Sequence, residues 1–191
     1  MQETGTRINK YMSQCGYCSR READRLIEKG EVWINGTLAT MGTKVMPGDT
    51  VMVHHTTITP CQKEYLLAFH KPAGIVCTTS KIDKNNVIDY LNFPDRIYPV
   101  GRLDKESTGL LLLTNNGQLM DDILRGSNYH EKEYIVHVNK PITDSVLQAM
   151  AQGVPILDTI TRPCKIRRMG KDCFYITLTQ GLNRQIRRMC E

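Results

Sequence analysis

The alternation of apolar and polar positions predicts two helices near the N-terminus. Ile8, Tyr11 and Met12 recur at helical spacing, so they would share one face of a first helix. Ser19 begins an S-x-x-E sequence, which has the spacing of a capping box. It predicts a second helix over residues 20–29, and the glycine that follows is typical of a helix end.

Short strands joined by tight turns are predicted next. Apolar residues favour strands at Val32–Ile34 and Val51–Val53. Asn35-Gly36 is a strong signal for a tight hairpin turn, and Pro47-Gly48-Asp49 marks a second turn. Residues 56–63 are expected to form a linker, because they contain a proline that interrupts strand pairing.

The remainder of the chain has the pattern of many strands with a few helices between them. This pattern predicts an α+β fold around a mostly antiparallel sheet. Helices are predicted at Val87–Leu91, at 118–124 and from the cap residue Thr143 to about 152. Strands are predicted at residues 65–69, 74–78, 97–100, 110–113, 134–138, 156–161, 164–168 and 174–179.

The segment GRLDKESTGLLLLT, residues 101–114, places a carboxylate between two predicted strands. Asp104 follows an apolar segment, is flanked by Arg102 and Lys105, and precedes the buried strand expected at 110–113. Loops held by a rigid scaffold are common places for functional sites. Spacing alone nevertheless favours a structural turn whose aspartate caps backbone amides.

The charge of the chain favours a polyanionic partner. Lysine and arginine number 25 against 20 acidic residues, which gives a net charge of +5 and a pI near 8.8. The predicted N-terminal helices are especially basic and would form either an ordinary solvated surface or a face that binds phosphates. Their basic residues are Arg7, Lys10, Arg20, Arg21, Arg25 and Lys29.

The cysteines indicate neither a metal site nor a redox centre. Cys15 and Cys18 form a C-x-x-C, but it follows a basic amphipathic helix rather than a strand of a thioredoxin-like unit. The other five cysteines are scattered singly, so no second pair completes a zinc site. We expect no metal and no cofactor, and a redox function stays the weakest of the alternatives.

Four stretches match one enzyme family in order along the chain. They are HKPAGIVCTT (70–79), GRLDKESTGLLLLT (101–114), HEKEYIV (130–136) and QGLNRQIRRM (180–189). Together they resemble the pseudouridine synthases of the RsuA/RluA superfamily, and the N-terminal segment resembles an S4 RNA-binding domain. The resemblance implies an S4-like domain over residues 5–58 and a synthase domain with a mostly antiparallel mixed sheet over 64–191.

The resemblance also implies a reaction and the residues that perform it. The enzyme would isomerise a uridine flipped out of the RNA, without a cofactor. Asp104 would be the catalytic acid, attacking C1′ or taking a proton from C2′, and both routes stay open. Tyr134 would stack on the uracil and assist proton transfer, and Arg187 would pair with the aspartate. Arg102 would fill the space of the flipped base, and Lys71 would face the substrate.

The basic residues of QGLNRQIRRM are expected at the start of a helix. Asn183 is a suitable cap for that helix, and Arg184, Arg187 and Arg188 stand at i, i+3 and i+4, so they would share a face. Arg184 and Arg188 would then contact RNA phosphates. The resemblance extends the same role to the basic N-terminal residues Arg7, Lys10, Arg20, Arg21 and Arg25.

The sequence also leads to expectations about partners, location and completeness. Large-subunit ribosomal RNA is the expected partner, with a tRNA left open as an additional substrate. The lack of an apolar leader or long apolar run predicts a cytoplasmic protein without a membrane span. We also expect a monomer. Family members continue beyond the position of Glu191, so the catalytic sheet would be incomplete. The alternatives are therefore a non-catalytic RNA-binding module or an inactive, shortened synthase.

Overall fold

The computed structural model describes residues 5–80, 82–125 and 129–191. The chain divides into two compact units, residues 1–120 and 121–191. This division differs from the boundary predicted between residues 58 and 64, which stays a prediction. Within the first unit, the hydrophobic side chains of residues 8–58 and those of residues 67–113 form two separate clusters.

The N-terminal part of the first unit packs two helices against a four-stranded antiparallel sheet with the strand order β3-β2-β5-β6. A second pair, β1 with β4, lies beside the first helix. The elements are β1 (Thr6–Arg7), α1 (Ile8–Gln14), α2 (Arg20–Glu28), β2 (Val32–Ile34), β3 (Thr37–Leu38), β4 (Lys44–Val45), β5 (Val51–Val53) and β6 (Thr56–Ile58).

Local signals in the sequence account for these elements. The hydroxyl of Ser19 accepts a hydrogen bond from the backbone N–H of Glu22 at 3.1 Å, which caps α2 as predicted. Asn35 and Gly36 have φ angles of 49° and 79°, as a type I′ hairpin turn requires. The apolar face of the helices is buried, with Met12 and Ala23 at 0% exposure.

The second part of the first unit is an antiparallel three-stranded sheet with the order β7-β9-β8. Its elements are β7 (Leu66–Lys71), α3 (Val87–Leu91), β8 (Tyr98–Val100) and β9 (Gly109–Thr114). The next helix, α4 (Gly117–Leu124), includes the boundary between the two units at residue 120. The predicted strand at 74–78 is wrong. That segment has a single parallel bridge, between Val76 and Asn86, because it follows a turn at the positive-φ residue Gly74.

The leucines of strand β9 differ in burial between its two faces. Leu111 and Leu113 are 3% and 0% exposed, whereas Leu110 is 68% exposed. Successive side chains of a strand point to opposite faces, so four leucines in a row cannot all enter one core. The prediction of a fully buried strand is corrected accordingly.

The second unit is an antiparallel sheet with the order β10-β14-β13, packed on α5 and α6. Phe174 and Ile176 of its central strand are 0% exposed. The predicted strand at 156–161 is instead a small hairpin, because Leu157 and Asp158 adopt left-handed φ angles of 48° and 58° and reverse the chain. The elements are β10 (Lys132–His137), α5 (Asp144–Gln152), β11 (Pro155–Ile156), β12 (Thr159–Ile160), β13 (Lys165–Arg168), β14 (Cys173–Leu178) and α6 (Gln185–Met189).

The predicted fold class is confirmed, since helices alternate with sheets whose strand pairs are antiparallel. In the part of the chain that the structure describes, no helix combines the length and the apolar character needed to cross a membrane.

Candidate active site

Asp104 lies on the loop between β8 and β9, next to the end of an antiparallel strand pair. It is partly buried, whereas the neighbouring Lys105 and Glu106 are exposed. The backbone N–H of Ser107 donates to the carbonyl oxygen of Asp104 at 3.0 Å and closes a turn. The predicted order of strand, loop and strand around Asp104 is therefore confirmed.

Lys71 supports this loop from the end of β7. Its side chain is 0% exposed, and its ammonium donates to the carbonyl oxygens of Pro72 at 2.8 Å, Lys105 at 3.0 Å and Ser107 at 2.7 Å. An ammonium group has three protons, so every donor is used inside the protein. The expectation that Lys71 faces the substrate is wrong, because the residue instead joins the Asp104 loop to β7.

A second contact fixes the loop on the other side of Asp104. The backbone N–H of Leu103 donates to Sγ of Cys77 at 3.4 Å, and Cys77 is only 4% exposed. The side chain of Leu103 packs against the hydrophobic cluster that contains Leu111. Asp104 is thus held between two residues whose backbone is bonded to the scaffold. Sequence reasoning missed Cys77 and Leu103, for which the only signal was apolar character.

Most basic side chains expected to contact RNA in the first unit are exposed to solvent. Exposed are Arg7, Arg20, Arg21, Arg25 and Arg102, and Lys10 is partly exposed. This accessibility is compatible with phosphate contacts. It also distinguishes these side chains from Lys71, whose position in the sequence gave no sign of burial.

Two arginines of α2 are placed unfavourably for the helix itself. Arg20 and Arg21 occupy its first turn, where the helix dipole favours negative charge. Arg25 pairs with Glu22 at 3.1 Å, but both side chains are well exposed, at 71% and 45%, so the pair adds little stability. Because these positive charges do not stabilise the helix, their position favours a role in binding an anion.

Tyr134 lies on β10, an edge strand of the sheet β10-β14-β13 in the second unit. It pairs with Ile176 of the central strand. Its side chain is 41% exposed. Burial of part of the residue raises the pKa of its phenol above the ordinary value of 10.0, so the hydroxyl is protonated at neutral pH. The ring can therefore stack on a base, and its hydroxyl can donate a hydrogen bond.

The start of α6 differs from the prediction. Asn183 does not cap the helix, since the N-cap position is Arg184, which has a left-handed φ of 51° and no capping side-chain bond. The nearly buried Gln185 orders the turn instead, because its Oε1 accepts from the backbone N–H of Leu182 at 3.0 Å. Sequence reasoning assigned no role to Gln185 and missed this one.

The three arginines of this segment have different surroundings. Arg184 precedes the helix, so the expected face at i, i+3 and i+4 does not form as predicted. Arg187 is exposed. Arg188 is partly buried and folds back onto Asn183, with Nε donating to its carbonyl oxygen at 3.1 Å. Asp104 belongs to the first unit, whereas Tyr134 and Arg187 belong to the second.

Comparison with known protein families identifies both parts of the sequence. The family model described as RNA pseudouridylate synthase matches residues 65–191. The chain belongs to the RNA pseudouridylate synthase family. The model of the S4 domain matches residues 6–51, which include α1, α2 and the β2–β3 hairpin that follows. The resemblance inferred from the four motifs and the N-terminal segment is confirmed.

Individual relatives support the same assignment. The chain is 53% identical over 191 residues to the Escherichia coli O6:H1 protein named "Dual-specificity RNA pseudouridine synthase RluF". That match covers 99% of this synthase-family chain and 66% of the relative, so the chain spans about two thirds of the relative's length. It is 33% identical to "Ribosomal large subunit pseudouridine synthase B" of Bacillus subtilis, covering 97% of this chain and 79% of the relative.

A solved structure also matches this synthase-family chain. The structure titled "Crystal structure of pseudouridylate synthase" superposes with a TM-score of 0.61 at 26% sequence identity. The match covers 96% of this chain and 81% of the other. The fold is therefore that of an S4 domain combined with a pseudouridine synthase domain.

Proposed function

We propose that this chain converts a uridine of large-subunit ribosomal RNA to pseudouridine. Membership of the synthase family and the presence of an S4 domain support this proposal. The observation on which it rests is Asp104, a partly buried carboxylate on a loop bonded to its scaffold on both sides. The "dual-specificity" in the name of the Escherichia coli relative favours a second RNA substrate, for which we propose a tRNA.

The reaction moves one bond of the uridine and needs no outside reagent. The N1–C1′ glycosidic bond breaks, the uracil turns, and a bond forms between C5 and C1′. The hydrogen on C5 leaves as a proton while N1 gains one, so the change is an isomerisation. A carboxylate beside the ribose can attack C1′ or remove a proton from C2′, and Asp104 is our candidate for that group.

We assign supporting roles to three further side chains. The Tyr134 ring stacks on the uracil, and its hydroxyl, kept protonated by the raised pKa, assists the transfer of a proton. For Arg187 we propose the role that the family resemblance implies, which is to pair with the catalytic aspartate. Arg102 enters the space that the flipped base leaves in the RNA.

The exposed basic residues of the S4 domain would bind the RNA backbone. Their contacts fix the RNA without specifying its sequence, so substrate choice must arise elsewhere. We propose the same backbone role for Arg184 and Arg188. The residues assigned to the S4 domain for backbone binding are Arg7, Lys10, Arg20, Arg21 and Arg25.

We further propose that the protein works in the cytoplasm as a monomer.

Tritium release tests the proposal directly. Large-subunit RNA carrying tritium at C5 of uridine should lose the label to water when the parent chain acts on it. Asp104→Asn should lower the rate by about 10²–10⁴-fold. Glu106→Gln is the matched control, because it removes an exposed carboxylate two residues away and should leave the rate unchanged.

The other outcomes would contradict parts of the proposal. Equal rates for the parent and Asp104→Asn would exclude Asp104 as the catalytic acid. RNA binding without any tritium release by the parent would contradict catalysis by this chain. That second outcome would favour the non-catalytic RNA-binding module.

A further inference from the structure

Three side chains with sulfur or imidazole donors meet at one end of the sheet in the second unit. Sγ of Cys173 lies 3.6 Å from Nε2 of His137 and 3.6 Å from Sδ of Met169. Cys173 is 6% exposed, whereas Met169 is 54% exposed. The other two side chains reach the surface, so an ion from solvent has access to the cluster.

The backbone holds the three residues in place. Cys173 and His137 are directly opposite partners on β14 and β10, so their side chains project on the same face of the sheet. The turn before β14 brings Met169 back, because its backbone N–H and that of Gly170 both donate to the carbonyl oxygen of Cys173 at 2.9 Å. The backbone positions of the three residues are therefore already fixed before any ion binds.

The spacing of the donor atoms suits a bound metal ion. With a metal–sulfur bond of about 2.3 Å and a metal–nitrogen bond of about 2.0 Å, as for zinc, donors lie about 3.5–4 Å apart at trigonal or tetrahedral angles. The Sγ–Nε2 separation of 3.6 Å falls in that range, and the Sγ–Sδ separation of 3.6 Å is slightly shorter than the about 3.8–4 Å that two sulfur ligands would have. We propose that Cys173, His137 and Met169 form a three-coordinate site for a soft monovalent ion, Cu(I).

The type of donor decides which metal is proposed. Thiolate and thioether ligands select soft ions, and imidazole is also a ligand of copper. Zinc sites use combinations of Cys, His, Asp and Glu. Within residues 5–80, 82–125 and 129–191, no group of three or more such side chains could hold a metal ion. The thioether of Met169 therefore favours Cu(I) over Zn²⁺.

Binding would exchange a proton for the metal without a change in oxidation state. The Cys173 thiol releases one proton as its sulfur bonds to Cu(I), and His137 binds through its neutral ring. If the thiol only donates a hydrogen bond to the imidazole, no such proton release occurs.

The chain contains one competing thiol pair. Burial raises the pKa of Cys15 and of Cys18 to about 11, which makes loss of their protons on metal binding more costly. The single variant Cys15→Ala breaks this pair and identifies any copper bound there. The two locations are thus separable by mutation.

The experiment titrates the reduced protein with Cu(I) against a competing chelator and measures stoichiometry, affinity and melting temperature. We expect one tight ion per chain and a rise in melting temperature on binding. Met169→Leu should weaken the affinity by at least about tenfold, and Cys173→Ser should abolish the tight site. Met41→Leu is the matched control, because Met41 is also 54% exposed and should leave the affinity unchanged.

The titration has clear contrary outcomes. Failure of the parent to bind Cu(I) more tightly than the chelator would overturn the site. Equal affinities for the parent, Met169→Leu and His137→Gln would also overturn it. Binding that disappears in Cys15→Ala but persists in Cys173→Ser would place the copper on the C-x-x-C. The Met169 and His137 variants alter exposed side chains, so the test stands even if Cys173→Ser folds poorly.

Discussion

The ammonium of Lys71 donates a hydrogen bond to the carbonyl oxygen of Lys105, 34 residues further along the chain, at 3.0 Å. Lys105 directly follows Asp104, so a buried cation on β7 fixes the backbone next to the proposed catalytic carboxylate. A charged group that has left water needs all its protons bonded. Three carbonyl oxygens meet that need, and the same bonds hold the loop closed.

Replacing Lys71 by methionine should destabilise the protein while leaving its RNA affinity within about twofold of the parent value. The substitution keeps the side-chain length but leaves buried carbonyl oxygens without partners. Each unsatisfied group costs about 1–3 kcal/mol, so we expect a loss of about 2–4 kcal/mol in the free energy of unfolding. Urea unfolding and RNA binding by filter retention measure the two quantities.

The neighbouring Lys105→Met is the control for Lys71→Met. The Lys105 side chain is exposed, so its loss should change the free energy of unfolding by no more than about 0.5 kcal/mol. If Lys71→Met were as stable as the parent and bound RNA much more weakly, Lys71 would contact the substrate after all. The assignment of Lys71 as a support of the Asp104 loop would then be wrong.

Lys71 also illustrates what a sequence alone can predict. Periodicity predicted a strand at 65–69, close to the observed β7, because that signal depends on neighbouring residues. The three bonds of its ammonium include partners 34 and 36 residues away, and local spacing contains no information about them. The family resemblance identified the segment as part of the active-site region but not the direction of this side chain.

Two other predictions, the strand at 156–161 and the helix cap at Asn183, were wrong for similarly specific reasons. The chain reverses at Leu157 through left-handed backbone at a residue type that rarely adopts it, so the hairpin there gave no turn signal. At α6, Asn183 had the composition of a cap, but the buried Gln185 side chain took the bonding role. The local capping signal at Ser19 was correct, because the bond of its hydroxyl is made within its own helix, to the backbone N–H of Glu22.

The thiols of Cys15 and Cys18 should react slowly with alkylating reagents at neutral pH. Burial raises both pKa values from 9.0 to about 11, so the reactive thiolate is scarce in the folded protein. The exposed Cys61 should be alkylated first, as mass spectrometry after timed iodoacetamide treatment would reveal. Rapid reaction at Cys15 or Cys18 would instead support a redox role for the C-x-x-C.

The same two shifts predict how stability depends on pH. In the unfolded chain these thiols lose their protons near pH 9, whereas the folded protein keeps them to about pH 11. The stabilisation is thus complete below pH 9 and is lost as pH rises from 9 to 11. The melting temperature should fall across that window, and Cys15→Ala should show a smaller fall. An equal fall in both proteins would contradict the prediction.

Replacing Arg20 and Arg21 together by glutamine should weaken RNA binding without lowering stability. If both side chains contact phosphates, the slope of log affinity against log salt should decrease by about 1.4–1.8. The melting temperature should stay the same or rise, because positive charge in the first turn opposes the dipole of α2. Binding assays at several salt concentrations and calorimetry measure these effects.

A variant of equal charge change serves as the control for the arginine pair. Lys44→Gln with Lys84→Gln also removes two exposed positive charges from the first unit, at residues to which we assign no RNA contact. It should change the salt slope by much less. Equal slopes for the two double variants would mean that overall charge, rather than the face of α2, attracts the RNA.

Two substitutions of Tyr134 should separate its ring from its hydroxyl. Tyr134→Phe keeps the aromatic face and removes the hydroxyl, so kcat should fall by about 10²-fold while RNA affinity stays unchanged. Tyr134→Leu removes both, and loss of a stacked base should weaken binding by a further ~1–3 kcal/mol. In the parent, the fall in activity caused by ionisation of the phenol should appear only above pH 10, because burial raises its pKa. That fall should be absent from Tyr134→Phe, whereas identical pH profiles would show that the hydroxyl takes no part in proton transfer.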